Sequence, residues 1–367
     1  MILNSLRAEN FRNIISEELL PSGGTNILIG QNGQGKTNLI EAIWMLTGAK
    51  SFRSYKNSEL IRFGEETAKI SSTFYSEGRE QSLEVAVTQK ERTATLNMVK
   101  KQQCSEIIGK ICAVVFSPEH MALVSEGASE RRRFIDCAVC QMKPSFIRTI
   151  AEYSKSLSHR NALLKEIQNG RSYGDLLSIW DERLSLFGAE IAVVRRQYTE
   201  ALAKRAEDIY SRLSSGSEKL EVSYSCSFSK AEERDVLRTD FMQKLLAGRE
   251  ADIAKGHTAA GVHRDDIALS LDEKPARFYA SQGQKRSCVI SLKLAEAEQM
   301  ASVIGEKPII LLDDVMSELD NSRQQFLLSN VTDCQVFITC CDFESVSGFK
   351  DGSVFEIAGG EVRKRMT

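Results

Sequence analysis

Two groups of residues in this 367-residue chain have the types and spacing to handle phosphate chemistry. The first is GQNGQGKT, residues 30–37, which fits G-x-x-x-x-G-K-[ST] with Gly30, Gly35, Lys36 and Thr37 at the fixed positions. The glycines let the loop of Gly30, Gln31, Asn32, Gly33, Gln34 and Gly35 curl so that backbone N–H groups face phosphate oxygens. A helix starting at Lys36 adds its positive N-terminal end. The Lys36 ammonium is expected at the terminal phosphates of a nucleotide, and the Thr37 hydroxyl on Mg²⁺. The second group is PIILLDD, an apolar run ending in Asp313 and Asp314. Asp313 is expected to hold Mg²⁺ through water, and Asp314 to orient or deprotonate an attacking water. Apolar strands often end in a structural Asp. The pairing with the glycine loop is what gives these two a chemical meaning.

Thr37 and Asp313 lie 276 residues apart, so a large insertion must separate the loop from its acidic partner. A third feature, SQGQKR at 281–286, opens a helical pattern. Ser281 suits an N-cap, Gly283 permits close backbone approach, and Gln284 lies in the first turn. The unbonded N–H groups of that turn form a second anion site. One nucleotide rarely needs two such sites from one chain. The arrangement suits a dimer in which this helix end meets the γ-phosphate held by a second copy; a plain capped helix is the alternative.

The elements that must position these residues alternate in texture. MILNSLRAENFRN reads as a strand entering a polar turn, TNILIG as a short buried strand, and GKTNLIEAIWML as a helix. Strands are expected in AKISSTFY, SLEVAVTQ, TATLNMV and ICAVVF. Residues 144–168 then carry apolar side chains at helical spacing. From Leu177 through Ile209 the apolar steps alternate between three and four. A helix from Asp175 to Leu213 would be nearly 60 Å long at about 1.5 Å per residue. The pattern suits two helices packed as an antiparallel arm with Gly170 and Gly174 in the turn, or a helix packed on an ordinary core. LEVSYSCSF reads as a strand, DVLRTDFMQKLLAGR as a helix, DIALSLD and ARFYA as a strand pair, and CQVFITCC as a buried strand. The result is an α/β body with mixed sheet and helices, formed by residues 1–120 and 262–367, interrupted by an inserted, mainly helical segment at 121–261.

Composition sets limits. The chain is 42% hydrophobic and 27% charged, with a net charge of −2, so any nucleic-acid binding needs a local basic patch. Nine scattered cysteines, an odd number, fit reduced thiols and a cytoplasmic protein. Arg7, Glu9 and Arg12 interrupt any signal-like apolar core, and no apolar run reaches membrane-spanning length. No N-K-x-D guanine-reading motif is present.

The order P-loop, SQGQKR, IILLDD, SELD resembles an ABC-type P-loop ATPase head, of the branch shared with SMC and related DNA-repair ATPases. SQGQ is similar to the signature motif, and Ser317-Glu318-Leu319-Asp320 to the D-loop. The likeness is closer to the RecF family of recombination mediators: NFRN at 10–13, KSFR at 50–53, FSPEH at 116–120, SERRRFID at 129–136, GVHRDD at 261–266 and ASQGQKRS at 280–287 are its hallmarks. His120, Val262, Cys340 and Cys341 depart from the family pattern, and the strand end at Thr339–Cys341 resembles the γ-phosphate switch position. The resemblance implies an ABC head with an inserted helical arm, ATP and Mg²⁺ as cofactors, and slow ATP hydrolysis as a switch. It implies an ATP-dependent homodimer, DNA at single-strand gaps or junctions, RecR and RecO as partners, and support of the SOS response. It also implies Arg12 and Asn13 near the nucleotide. An ATPase subunit, or a non-hydrolysing scaffold, acting on a partner other than DNA is the alternative.

Lys50 and Arg53, on a loop after the P-loop helix, are candidates for DNA contact. Arg131, Arg132 and Arg133 suit phosphates or acidic neighbours such as Glu126 and Glu130. His263, Arg264, Asp265 and Asp266 read as a salt-bridged joint between lobes. Cys137 and Cys140 form a lone C-x-x-C that lacks two further zinc ligands and reads as a helix face. Trp180 and the other three histidines show no ligand spacing.

Overall fold

A computed structural model describes residues 1–53, 56–171, 174–341 and 352–365. The chain divides into two compact units, one of residues 1–121, 212–216 and 282–367, the other of 122–211 and 217–281.

The first unit contains two sheets. One has six strands in the order Glu361–Arg365, Gly352–Ala358, Thr25–Ile29, Val336–Cys340, Ile309–Leu312, Ala113–Phe116. Its neighbours run parallel except for the hairpin pair at one edge. Three of these strands are buried at every residue, as parallel strands covered on both faces must be. The register pairs Ile29 with Cys340 and Ile338 with Leu312. The strand Val336–Cys340 therefore lies between the P-loop strand and the aspartate strand, and all three end at the same edge.

The other sheet is antiparallel and built from Ile2–Leu3, Leu6–Phe11, Ile14–Leu19, Thr67–Ser76, Arg79–Thr88, Arg92–Leu96 and Val99–Lys100. Thr67–Ser76 buries Ala68, Ile70, Ser72, Phe74 and Ser76, the period of two expected for a sheet with one covered face. The P-loop helix Lys36–Met45 packs against both Leu6–Phe11 and Val336–Cys340. Eight of its ten residues are buried. Gln335 ties the two sheets together: it accepts the Leu3 N–H at 2.7 Å and donates to the Leu3 and Ser22 carbonyls at 2.9 and 2.8 Å.

In the second unit, helices Phe146–Gln168 and Gly174–Leu213 run antiparallel. Thr149 meets Glu190, Glu152 meets Arg183 and Arg160 meets Asp181, one index rising as the other falls. Gly170 turns the chain at φ 88°. Gly174 is the first helical residue rather than part of the turn. The long helix covers 40 residues, but it does not stand free. The two helices pair antiparallel as the spacing suggests, and the long one also packs on the rest of the second unit. Leu237, Phe241 and Leu245 of helix Arg234–Ala247 are buried, and a Cβ at Gly188 would lie 2.5 Å from the Phe241 ring. Glycine in mid-helix is here a packing requirement. Arg160, fully buried, donates to Asp181 and Asp252 at 2.6 Å and to Thr258 at 2.8 Å.

Three sequence expectations need correction. ARFYA is not a strand: Ala276–Tyr279 forms one helical turn after Pro275, whose φ of −54° sets a helical start. Asp266–Leu271 pairs with Leu220–Ser225 over six residues, and on its other side with Lys274–Pro275 over only two. That pairing draws residues 262–281 into the second unit, so the head boundary lies near 282 rather than 262. The third concerns the charged group at 263–266, whose contacts close inside the second unit instead of joining lobes. Arg131 grips Asp266 with two bonds of 2.8 and 2.9 Å and caps the carbonyls of Leu123 and Glu126. Arg132 donates to the Asp265 carbonyl at 2.6 Å. Asp265 accepts the Ser227 N–H at 2.7 Å and the Tyr224 hydroxyl.

His263 donates through Nε2 to the Thr258 carbonyl at 3.2 Å, so Nδ1 accepts the Tyr153 hydroxyl at 2.8 Å. Burial pushes the imidazole down to about 4, with the Thr258 carbonyl pulling the other way. In the unfolded chain it titrates near 6.5. Between those values the unfolded state holds the proton more tightly, so stability is full above about 6.5 and falls as pH drops toward 4. Denaturant unfolding of the second unit at pH 5 against pH 7 is expected to show a loss that is ~1–2 kcal/mol smaller in His263→Gln. An equal loss in both proteins would contradict this.

Candidate nucleotide-binding site

The P-loop follows Thr25–Ile29 and opens the buried helix. Gly33 and Gly35 take φ of 79° and 115°. Gly30 has a different constraint: a Cβ there would sit 2.2 Å from the Ile357 carbonyl oxygen on the adjacent strand. The Lys36 ammonium lies inside the loop, donating to the carbonyls of Gly30 and Gln31, the latter at 3.0 Å. Cys341 Sγ is 3.8 Å from Lys36 Nζ, and its thiol donates to Asn32 Oδ1 at 3.1 Å. The glycine turn at the far edge of the sheet steadies the loop: Gly360 N–H donates to the Gln34 carbonyl at 2.8 Å and Gly359 N–H to Gln34 Oε1 at 2.6 Å.

The two motifs meet directly. Thr37 Oγ1 donates to Asp313 Oδ1 at 2.9 Å. Thr339, on the strand between them, donates to the same oxygen at 3.0 Å and accepts the Asp314 N–H at 2.8 Å. One hydroxyl thus orients both aspartates. Burial pushes the Asp313 carboxyl up to about 6; the Thr37 and Thr339 hydroxyls oppose this, and the charge of Glu119 adds to it. Asp314 sits at φ 53°, a region that Asp tolerates better than most residues, and Ser317 Oγ lies 3.1 Å from its Oδ1. Thr37 and Asp313 form a hydroxyl and a carboxylate side by side. That donor set suits Mg²⁺, which takes one or two carboxylates and completes its shell with phosphate oxygens and water.

Asn13 touches the loop, donating to the Gln34 carbonyl at 3.2 Å and accepting Asn38 Nδ2 at 2.7 Å. Arg12 turns to the P-loop helix and forms two bonds, of 2.9 and 2.7 Å, with Glu41. Arg53 lies on the same helix: it donates to Asn38 Oδ1 at 3.0 Å and is 3.8 Å from Glu41. Lys50 is exposed. Sequence reasoning missed Glu41, although a lone acid in the apolar stretch LIEAIW signals a buried charge with a partner. It also missed the double role of Thr339.

Ser281 precedes the helix Gln282–Ile304 directly, the N-cap position, and is exposed. Gly283 and Gln284 are half-buried. Arg323 braces this first turn, donating to Ser287 Oγ at 2.9 Å, while Ser287 Oγ donates to the Gly283 carbonyl at 3.1 Å. In the SELD turn, Asp320 caps helix Asn321–Ser329 by accepting the Arg323 N–H at 3.0 Å. His120 Nδ1 accepts the Ser117 N–H at 3.1 Å, closing its own turn. Cys340 is buried, while Cys137 and Cys140 are half-buried thiols on helix Ala128–Met142. His159 stacks on Trp180. Among the described residues no helix is long and apolar enough to cross a membrane.

A P-loop helix held between a parallel and an antiparallel sheet, with its acidic partner reached only after a helical insertion, defines an SMC-type ATPase head. The sequence matches the family described as RecF/RecN/SMC N terminal domain over residues 2–355. The Smc head domain of Pyrococcus furiosus shares this fold, with a TM-score of 0.57 at 16% identity over 99% of this chain and 96% of that one. The DNA replication and repair protein RecF of Clostridioides difficile is 36% identical over 99% of this chain and 98% of its own. That of Acetivibrio thermocellus is 38% identical over 94% of each. The solved structure of the recombination mediator protein RecF-ATPrS in the RecFOR pathway superposes with a TM-score of 0.93 at 35% identity, covering 99% of this chain and 98% of that one. The chain belongs to the RecF family.

The loop geometry separates two glycines. Gly30→Ala drives a Cβ into backbone and is expected to destabilise the first unit by ~2–3 kcal/mol. Gly33→Ala meets nothing within 4 Å and bears only the left-handed φ, a loss of ~1 kcal/mol. Thermal unfolding midpoints of the two variants measure this; equal midpoints would contradict it.

Proposed function

We propose that this protein is an ATP-dependent DNA-binding protein of recombinational and replication-gap repair, in which ATP joins two copies head to head on DNA. One observation carries the reading: the Thr37 hydroxyl and the Asp313 carboxylate meet at 2.9 Å across 276 residues of chain. This geometry supports a Mg²⁺-nucleotide site drawn from two distant motifs. The names of the relatives, and the RecFOR setting of the solved neighbour, support DNA repair as the context. RecR, RecO and the SOS response follow from that context, as does a cytoplasmic location.

Within one copy, Lys36 and the loop N–H groups hold the terminal phosphates of ATP, and Thr37 with Asp313 holds Mg²⁺. The ion supplies charge neutralisation at those phosphates when bound. A cation beside Asp313 also favours its carboxylate and offsets the burial that raises its pKa. Asp314, aimed by Thr339 and Ser317, orients or deprotonates the attacking water. Ser281, Gly283 and Gln284 of the second copy complete the anion site with a helix N-terminus. Arg12 and Asn13 keep the loop and its helix in place. ATP then works through its different affinity for open and closed dimers, and hydrolysis is slow because a timing switch needs no rapid turnover.

Sedimentation of wild type and Lys36→Met, with Mg²⁺-ATP and with or without gapped DNA, tests the clamp. Dimers that require ATP and vanish in the variant are expected, and monomers throughout would overturn the reading. For the chemistry, Asp314→Asn is expected to lower steady-state hydrolysis about a hundredfold or more while leaving the ATP-dependent dimer intact. Unchanged hydrolysis would remove Asp314 from its role.

A further inference from the structure

At the far end of the P-loop helix from Lys36, residues 50–51, 56–60 and 89–92 border an open groove of 590 Å³. Lys50, Lys56, Lys90 and Arg92 line it, and among the described residues Glu91 is the one acid in its lining. Four cations against one carboxylate is a local excess in a chain whose net charge is −2. Lys50, Lys56 and Lys90 are exposed. The other described residues of the lining are polar apart from Leu60 and Cys104. Such a surface can meet a chain of phosphates, contacts that hold a strand without reading its bases.

The groove is also anchored to the nucleotide site. Trp44, in the last turn of the P-loop helix, donates through Nε1 to the Lys50 carbonyl at 2.8 Å. Arg92 donates to the Ala49 carbonyl at 2.8 Å, fixing the loop to the strand opposite. Ser51 donates its hydroxyl to Glu41 of the same helix. Helix, loop and groove wall are therefore one hydrogen-bonded assembly.

We propose that this groove binds the sugar-phosphate backbone of DNA without reading its sequence, and that its wall is positioned by the P-loop helix. This rests on the DNA-binding reading above. It places the contact on the groove lined by Lys50, Lys56 and Lys90, whereas Arg53 is not among the described residues that line it.

Fluorescence anisotropy with a labelled gapped duplex, Mg²⁺-ATP and the full chain across a salt series tests it. The variants are Lys56→Glu/Lys90→Glu and, as a control with the same change in charge, Lys100→Glu/Lys230→Glu. Binding of a fluorescent ATP analogue is measured in parallel. The groove variant is expected to bind DNA roughly 10–100-fold more weakly at low salt, with a log K against log salt slope shallower by about two. Its nucleotide affinity should be unchanged, and the control should stay within about threefold of wild type. Equal weakening in both variants would reduce the effect to net charge and overturn the groove, as would a groove variant that binds like wild type; the DNA reading would survive either result. A wild type that binds no DNA in any nucleotide state would overturn both.

Discussion

The nucleotide site depends on how the P-loop helix is buried. It lies against two sheets at once, so it has almost no wet face, and its one carboxylate, Glu41, is fully buried. A buried charge of this kind must be paired, and removing one partner of such a pair costs about 3–5 kcal/mol. Arg12 pairs with it from the antiparallel sheet's end, Ser51 and Arg53 from the loop beyond the helix. The same interaction that makes the helix tolerable in the interior therefore fixes the start of the second sheet and the loop after the helix. The ion-paired centre at Glu41 thus anchors the helix, while Asn13, Gly359 and Gly360 hold the phosphate loop itself through Gln34.

The second organising fact is strand order. Placing Val336–Cys340 between the P-loop strand and the aspartate strand puts Thr339 within reach of both aspartates and Cys341 within reach of Lys36 and Asn32. The end of this one strand touches every charged group expected to act on a phosphate. Lys36 and the two aspartates therefore share contacts with one strand end. The two cysteines at 340 and 341 divide the position between a buried side chain and an exposed one, so only Cys341 faces the loop.

Much of the site was legible in the sequence because its parts are local. GQNGQGKT specifies a loop by its own glycines, and PIILLDD specifies a buried strand with acids at its end. The long helix was legible from period alone, since forty residues of alternating three- and four-residue steps admit no other regular structure. Less legible were elements whose form is set by partners. ARFYA has strand-like residues, but the strand leading into it, which pairs with DIALSL, stops at Lys274–Pro275, and the chain coils into one turn after the proline. The head boundary was misplaced for the same reason: a strand pair of sequence separation beyond forty residues decides which unit owns 262–281. Arg131 suited phosphates or acidic neighbours equally by sequence, and its 2.8 Å contact with Asp266 is what marks a structural clamp.

The sequence by itself determined that this chain holds phosphates on a glycine loop, that a distant acidic strand must join it, and that helices separate the two. Those properties reside in short segments whose residues act on their own backbone. Tertiary structure alone decided that Thr37 and Asp313 share a hydrogen bond, that Thr339 aims both aspartates, that Glu41 is the charge around which Arg12 and Arg53 gather, and that lysines from two separate segments line one groove. Each of these depends on strand order and helix burial, which are settled by contacts between residues far apart in the chain and leave no local trace in it.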